Sequence, residues 1–208
     1  MYEPHEIQIS GSRTAADWKT FEERLVKEDS QELWAEAFEE YFKQRLELRY
    51  LKPIRILQGG GWQGEGFSIV TIQCALIEFL AATKIGKNHR HLKKKETLGE
   101  HEYSRSSGIF SNFLATDPAF QPFFDAASAE EFYTSVRCGL LHEARTKNGW
   151  TIWATSGGKG PIDPARKIVF RDDLQSTIDA FITDYGFELL SNKDLQAAFV
   201  RKFNNLAT

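Results

Sequence analysis

The chain has 208 residues, 41% hydrophobic and 26% charged, with a net charge of −3, which is the composition of an ordinary globular protein. Its length suits a single mainly helical domain spanning residues 1–208, with a core that needs no disulfide staples. Slight acidity excludes a broad, unspecific nucleic-acid surface, which requires a strongly basic face, but leaves room for a local basic groove.

The two cysteines, Cys74 and Cys138, sit inside apolar helical patterns and read as buried free thiols of a reducing compartment. The opening MYEPHEIQIS has neither a basic start nor an apolar run, so it does not resemble a signal peptide. No uninterrupted apolar stretch approaches the roughly 20 residues of a membrane helix. A cytoplasmic protein without membrane contact is expected.

In chain order, residues 1–30 read as an N-terminal extension. Ile7 and Ile9 alternate with polar neighbours and allow a brief edge strand within residues 1–11. Thr14 can cap a short helix carrying Trp18, Phe21 and Leu25. Ser30 opens a stronger helix to about Leu51, with Leu33, Trp34, Phe38, Phe42 and Leu46 along one face. That stripe reads as core, although Trp34 or Tyr41 could stack on a base. Pro53 is expected to end the helix, because the residue before a proline is biased away from helical geometry. Residues 58–66, QGGGWQGEG, form a glycine-rich loop without the Gly-Lys-Ser/Thr of a phosphate-binding loop. It reads as a linker, or as a lid beside a substrate groove.

Residues 67–83 give the most apolar helix, expected to be buried and central. Its lone acid, Glu78, either pairs with Arg137 or is exposed. The basic stretch 84–95, KIGKNHRHLKKK, includes Lys93 and Lys94. It is either a solvated loop or a contact for RNA phosphates. His89, His91 and His101 do not have tetrahedral zinc spacing, so neither metal nor cofactor is expected. Residues 106–116 read as a helix, followed by a turn at Asp117-Pro118 and an aromatic segment with Phe120, Phe123 and Phe124.

Residues 128–145, SAEEFYTSVRCGLLHEAR, carry the sharpest signal. Ser128 reads as an N-cap with Glu131 completing a capping box. Phe132, Val136, Leu140 and Leu141 recur at helical spacing. Asn148-Gly149 is a turn signal. Residues 150–154 and 167–170 are expected to pair as a small β-hairpin, an insertion spanning 148–170. Lys147, Lys159, Arg166 and Lys167 are loop charges that could line a nucleic-acid path. Asp172 or Asp173 starts a further helix, which Gly186 is expected to end. Ser191 is expected to cap a last helix bearing Leu195, Phe199 and Phe203.

Arg137 and His142 join two useful chemistries. Arginine binds phosphate oxygens through a planar, permanently charged fork. Histidine moves protons near neutral pH. On one helix, residues five apart are turned by about 140° and lie about 7.5 Å apart along the axis, so one copy does not aim both at one small ligand. Two such helices about a two-fold axis could, with Gly139 permitting close approach. The chemistry described is RNA cleavage without a metal, in which the 2′-hydroxyl attacks its own phosphate and arginine stabilises the phosphorane. The same residues admit a plainer reading: an arginine paired with Glu130 or Glu131 and a histidine resting on the helix dipole.

Arg137-x4-His142 at the end of an amphipathic helix, followed by Glu143-Ala144, resembles the signature of the HEPN superfamily. The resemblance implies a helical bundle with a small β-hairpin after the motif helix, usually a homodimer. It implies a metal-independent endoribonuclease of toxin–antitoxin or defence systems, with RNA as substrate and Arg137 and His142 as the catalytic pair. It also implies that the apolar helix pairs with the motif helix. Glu78, Cys138, Lys147, Lys93 and Lys94 are the candidate substrate contacts beside that pair. The family pattern has Asn, Asp or His after the arginine, where this chain has Cys138. That departure leaves open a non-catalytic module binding RNA, a nucleotide, or a protein such as an antitoxin or a nucleotidyltransferase.

Overall fold

The computed structural model describes residues 6–208. Of these, 62% lie in seven helices and the rest in small sheets and turns, so the chain is mainly α. The expectation for residues 1–5 lies outside the described residues. The brief strand foreseen near Ile9 is β1, Gln8–Ser10, paired antiparallel with β2, Arg13–Thr14.

Helix α1, Ala15–Glu28, starts at Thr14, which forms a reciprocal capping box with Asp17. It buries Trp18, Phe21 and Leu25. Helix α2 covers residues 31–60 and begins at Ser30, whose hydroxyl accepts from the Leu33 N–H. Pro53 does not end it, which corrects the sequence expectation. Two widened, π-type stretches, Ala37–Lys43 and Glu47–Leu51, interrupt the helix, and the second stops just before the proline. A proline ring normally crowds the carbonyl four residues back; bonding to the fifth residue changes that local geometry and eases the clash. Residues 58–60 therefore belong to α2, and the glycine-rich loop shrinks to 61–64.

Helix α3, Glu65–Lys84, is the apolar one. By length and a mean hydropathy of 1.6 it is the one described helix that could cross a membrane, but 56% of that window is buried inside the protein. Its Gln73 amide is buried and donates to the Arg171 carbonyl at 2.8 Å and to Gln175 at 3.2 Å. The amide N–H groups are thus paired, as interior donors ordinarily are, whereas the buried amide oxygen makes no hydrogen bond. After α3 come β3, Asn88–His89, and β4, Glu102–Tyr103, a short parallel pair. Helix α4, Ser106–Thr116, matches its sequence pattern.

Helix α5 covers residues 126–143 and carries the Arg–His motif. Its cap is Asp125, not Ser128: the Asp125 carboxylate accepts from the Ser128 N–H at 2.7 Å, and Ser128 completes the box. Both residues are good caps, and the earlier one starts the helix.

The expected hairpin is corrected too. β5, Thr151–Trp153, pairs with β7, Ile168–Phe170, in parallel. β6, Ile162–Asp163, pairs antiparallel with β7 on its other side. The tight hairpin is thus β6–β7, closed by the Lys167 N–H to Pro164 carbonyl bond at 3.3 Å. The chain between β5 and β7 is long enough for a crossover, which parallel pairing demands. Asp173 pins part of that crossover by accepting from the Ser156 N–H at 2.6 Å and the Gly158 N–H at 3.2 Å.

Helix α6, Arg171–Leu189, passes straight through Gly186. A Cβ there would lie 2.7 Å from the Phe38 ring, so this glycine makes room for a neighbour rather than stopping the helix. Helix α7, Lys193–Leu206, is capped by Asn192, one residue after the expected Ser191.

Contacts gather into two compact units, neither of them one continuous stretch. The first comprises the described part of Met1–Leu51 with Ala82–Ser104 and Thr183–Thr208. Its core is aromatic: Phe199 stacks on Phe203 at 4.4 Å, and Trp18 meets Tyr41 edge-on at 5.1 Å. The second comprises Lys52–Ala81 and Arg105–Ile182. Its core holds Phe110, Phe113, Phe120, Phe124, Phe132 and Trp150.

Candidate functional site

The motif helix α5 reaches Arg137 through a π-type turn, Tyr133–Arg137. Widened turns of this kind re-aim side chains and recur at functional sites. The Arg137 guanidinium donates to Glu78 of α3 at 2.9 Å. The other Glu78 oxygen accepts from the Ser106 hydroxyl at 2.6 Å, so α3, α4 and α5 meet at one carboxylate. Of the two readings of Glu78, the ion pair with Arg137 is the one found. Both side chains are 17% exposed. The guanidinium also lies 5.3 Å from the centre of the Tyr133 ring. Partial burial opposes the Arg137 charge, but the Glu78 carboxylate outweighs it and holds the pKa above its ordinary value. Burial likewise pushes the Tyr133 hydroxyl up.

His142 stands five residues further on, exposed to solvent in the last turn of α5. Among the described residues, nothing hydrogen bonds to its ring or pairs with it. Between the two, Leu141 is 54% exposed and Cys138 half-buried. The exposed part of α5 therefore runs from a fixed cation, past an apolar side chain, to a solvated imidazole.

The rest of the motif explains its own shape. Ala144 takes a left-handed conformation (φ 53°) and turns the chain back over the helix. A Cβ on Gly139 would sit 2.5 Å from the Arg145 carbonyl oxygen. The close approach that Gly139 permits is taken up by residues of its own chain. Lys147 then fixes the return, its N–H donating to the Ser135 carbonyl at 2.8 Å. Its ammonium pairs with Glu143 at 2.5 Å, and Arg145 pairs with the same carboxylate at 3.0 Å. Those pairs are exposed and weak, so a phosphate could exchange for the carboxylate.

The structure thus brings Arg137, Glu78 and Cys138 together, with His142 in the last turn of the same helix and Lys147 on the returning chain beyond it. Lys93 and Lys94 are exposed loop residues of the other compact unit. Of the two thiols expected to be buried and free, Cys74 is buried, which pushes it up to about 12, whereas Cys138 is only half-buried; both are free. Ser106 and Tyr133 were not legible as site residues. Tyr133 lies four residues before Arg137, a spacing at which helical side chains meet, whereas nothing local marks Ser106. Among the described residues, no three His, Cys, Asp or Glu side chains converge as a metal site.

No family model, curated protein or solved structure significantly matches this chain. What the site can do is therefore argued from its own chemistry. It offers a rigidly held cation and an accessible proton carrier on one helix, with an apolar residue between them.

Proposed function

We propose that the protein is a metal-independent endoribonuclease of the HEPN type, acting as a homodimer in which two α5 helices form one groove. The observation that carries this reading is the division of labour on α5. Arg137 is locked in place by Glu78 and Tyr133, and His142 is solvent-facing and unengaged. A positioned cation reduces the reorganisation needed when charge builds up on a phosphorane. An accessible imidazole can take the 2′-hydroxyl proton, or return one to the departing 5′-oxygen. O2′ then bonds to phosphorus as the P–O5′ bond breaks, giving a 2′,3′-cyclic phosphate and a 5′-hydroxyl. With about 140° between the two side chains on one helix, the second copy completes the arrangement.

The test is RNA cleavage in EDTA by the wild type, Arg137→Ala and His142→Ala. Loss of at least about a hundredfold in both variants is expected, since general acid–base catalysis alone contributes roughly 10²–10⁴. Equal activity in all three proteins would remove the assignment.

A second reading is favoured by one observation. Cys138 follows the arginine, and Arg137 is already charge-paired with Glu78 at 2.9 Å. On that reading the groove binds RNA, a nucleotide or a partner protein such as an antitoxin or a nucleotidyltransferase, and cuts nothing. Tight RNA binding without cyclic-phosphate products would select it.

A further inference from the structure

Away from the Arg–His motif, the start of α3 and strand β5 enclose a cavity of about 210 Å³. That is smaller than the roughly 300–1,000 Å³ of pockets that hold a whole drug-sized ligand, and suits a single ring system. Its walls are aromatic and unusually open to water: Trp62 is 61% exposed, Trp153 52% and Phe67 41%. Three large aromatics left wet around one hollow are costly unless something covers them.

Its polar lining is built in. Glu65 and Arg171 form an ion pair at 2.7 Å, with side chains only 10% and 15% exposed. Glu65 Oε2 and Arg171 Nε are both buried and make no hydrogen bond. Neither atom has surface that an occupant of the cavity could reach, so the ion pair forms a closed, charge-neutral floor beneath the aromatic walls. Arg171 Nε also pairs with Asp172 at 3.5 Å, and that carboxylate accepts from the Gln58 amide at 2.8 Å. Strand β5 closes tightly on this wall, because a Cβ on Gly66 would come within 3.1 Å of Ile152.

The occupant follows from the chemistry. A quaternary ammonium would need an uncompensated carboxylate, and Arg171 already neutralises Glu65. A planar ring that stacks on tryptophan fits the size of the hollow and its exposed aromatic faces. Unpaired nucleobases offer such faces. The Arg166 guanidinium, 5.6 Å from the Trp153 ring, could meet an attached phosphate. We propose that this cavity is a nucleobase-binding subsite, with Trp62 and Trp153 as stacking walls above the neutral floor made by Glu65 and Arg171. It rests on no property of Arg137 or His142, although it would give the proposed ribonuclease a grip on its substrate.

The experiment is a tryptophan-fluorescence titration of the full chain with each of the four 5′-mononucleotides and with a short single-stranded oligoribonucleotide. The wild type is expected to show saturable quenching. Trp62→Ala and Trp153→Ala, both at exposed positions and checked for folding by circular dichroism, should each weaken binding about tenfold or more, as losing one stack does. The readout is binding and not cleavage, so the outcome stands whether or not the chain cuts RNA. Saturation by mononucleotides would mark a free nucleotide as the ligand, and saturation by the oligonucleotide alone would mark RNA. No saturable quenching by any of the five, or binding unchanged in both folded variants, would overturn the proposal.

Discussion

Gly139 and Gly108 make a matched pair of substitutions within the second compact unit. At Gly139 an added Cβ meets the Arg145 backbone carbonyl at 2.5 Å, whereas at Gly108, inside α4, it meets nothing within 4 Å. Gly139→Ala should therefore destabilise by about 1–3 kcal/mol through overpacking. Gly108→Ala should be neutral or stabilising by up to about 1 kcal/mol, because alanine is the better helix former. Urea midpoints for the two variants check this, and a Gly139→Ala protein as stable as the wild type would contradict the account of the returning loop. Glu78→Ala leaves Arg137 without its partner and should cost about 1–3 kcal/mol, the usual penalty for orphaning a partly buried charged group. The sequence could raise the Glu78–Arg137 pair only as an alternative to exposure, since no periodicity links residues 59 positions apart. The catalytic candidates were legible because both lie on one helix. Ser106 was not, because its role exists only after α4 packs beside α3.

Three carboxyls at helix starts are held below their ordinary range. Backbone and side-chain hydrogen bonds from Thr14 hold the Asp17 carboxyl below its ordinary range, and those from Ser128 do the same for Asp125. At Asp173 burial pushes upward, but the Ser156 and Gly158 N–H groups together with the Thr155 and Ser156 hydroxyls outweigh it and the pKa falls. A carboxyl with a lowered folded-state pKa stabilises above its unfolded value and loses that contribution as pH falls through the folded one. Stability should therefore be level at neutral pH and decline as the pH drops through and below the ordinary aspartate value of 3.8. Asp125→Asn and Asp173→Asn should flatten that decline in thermal melts taken from pH 6 to pH 2, and an unchanged slope would exclude these caps as its source. Apolar stripes placed all seven helices from sequence, because burial follows the 3.6-residue period. Their ends were read less well. Asp125 and Ser128, or Ser191 and Asn192, compete as caps within a few residues of each other. Pro53 and Gly186 act through a widened turn and through the Phe38 ring, neither of which local sequence reveals. Strand direction likewise depended on the path of the crossover, not on the pattern of residues 150–154 and 167–170.

For the whole molecule, the chain interleaves two compact units from five segments, so composition and length alone could not have divided it. The proposed function then depends on a step beyond one copy. Leu141 lies on the exposed face of α5 between Arg137 and His142 and is 54% exposed, which suits the seam of a two-fold pairing. The most direct measurement is analytical ultracentrifugation of the wild type and Leu141→Arg, with EDTA-resistant RNA cleavage assayed on the same fractions. The account predicts that cleaving wild-type protein sediments at twice the 23.8 kDa chain mass, and that Leu141→Arg sediments as a folded monomer with cleavage lost. A wild-type monomer that cleaves RNA at full rate would contradict it.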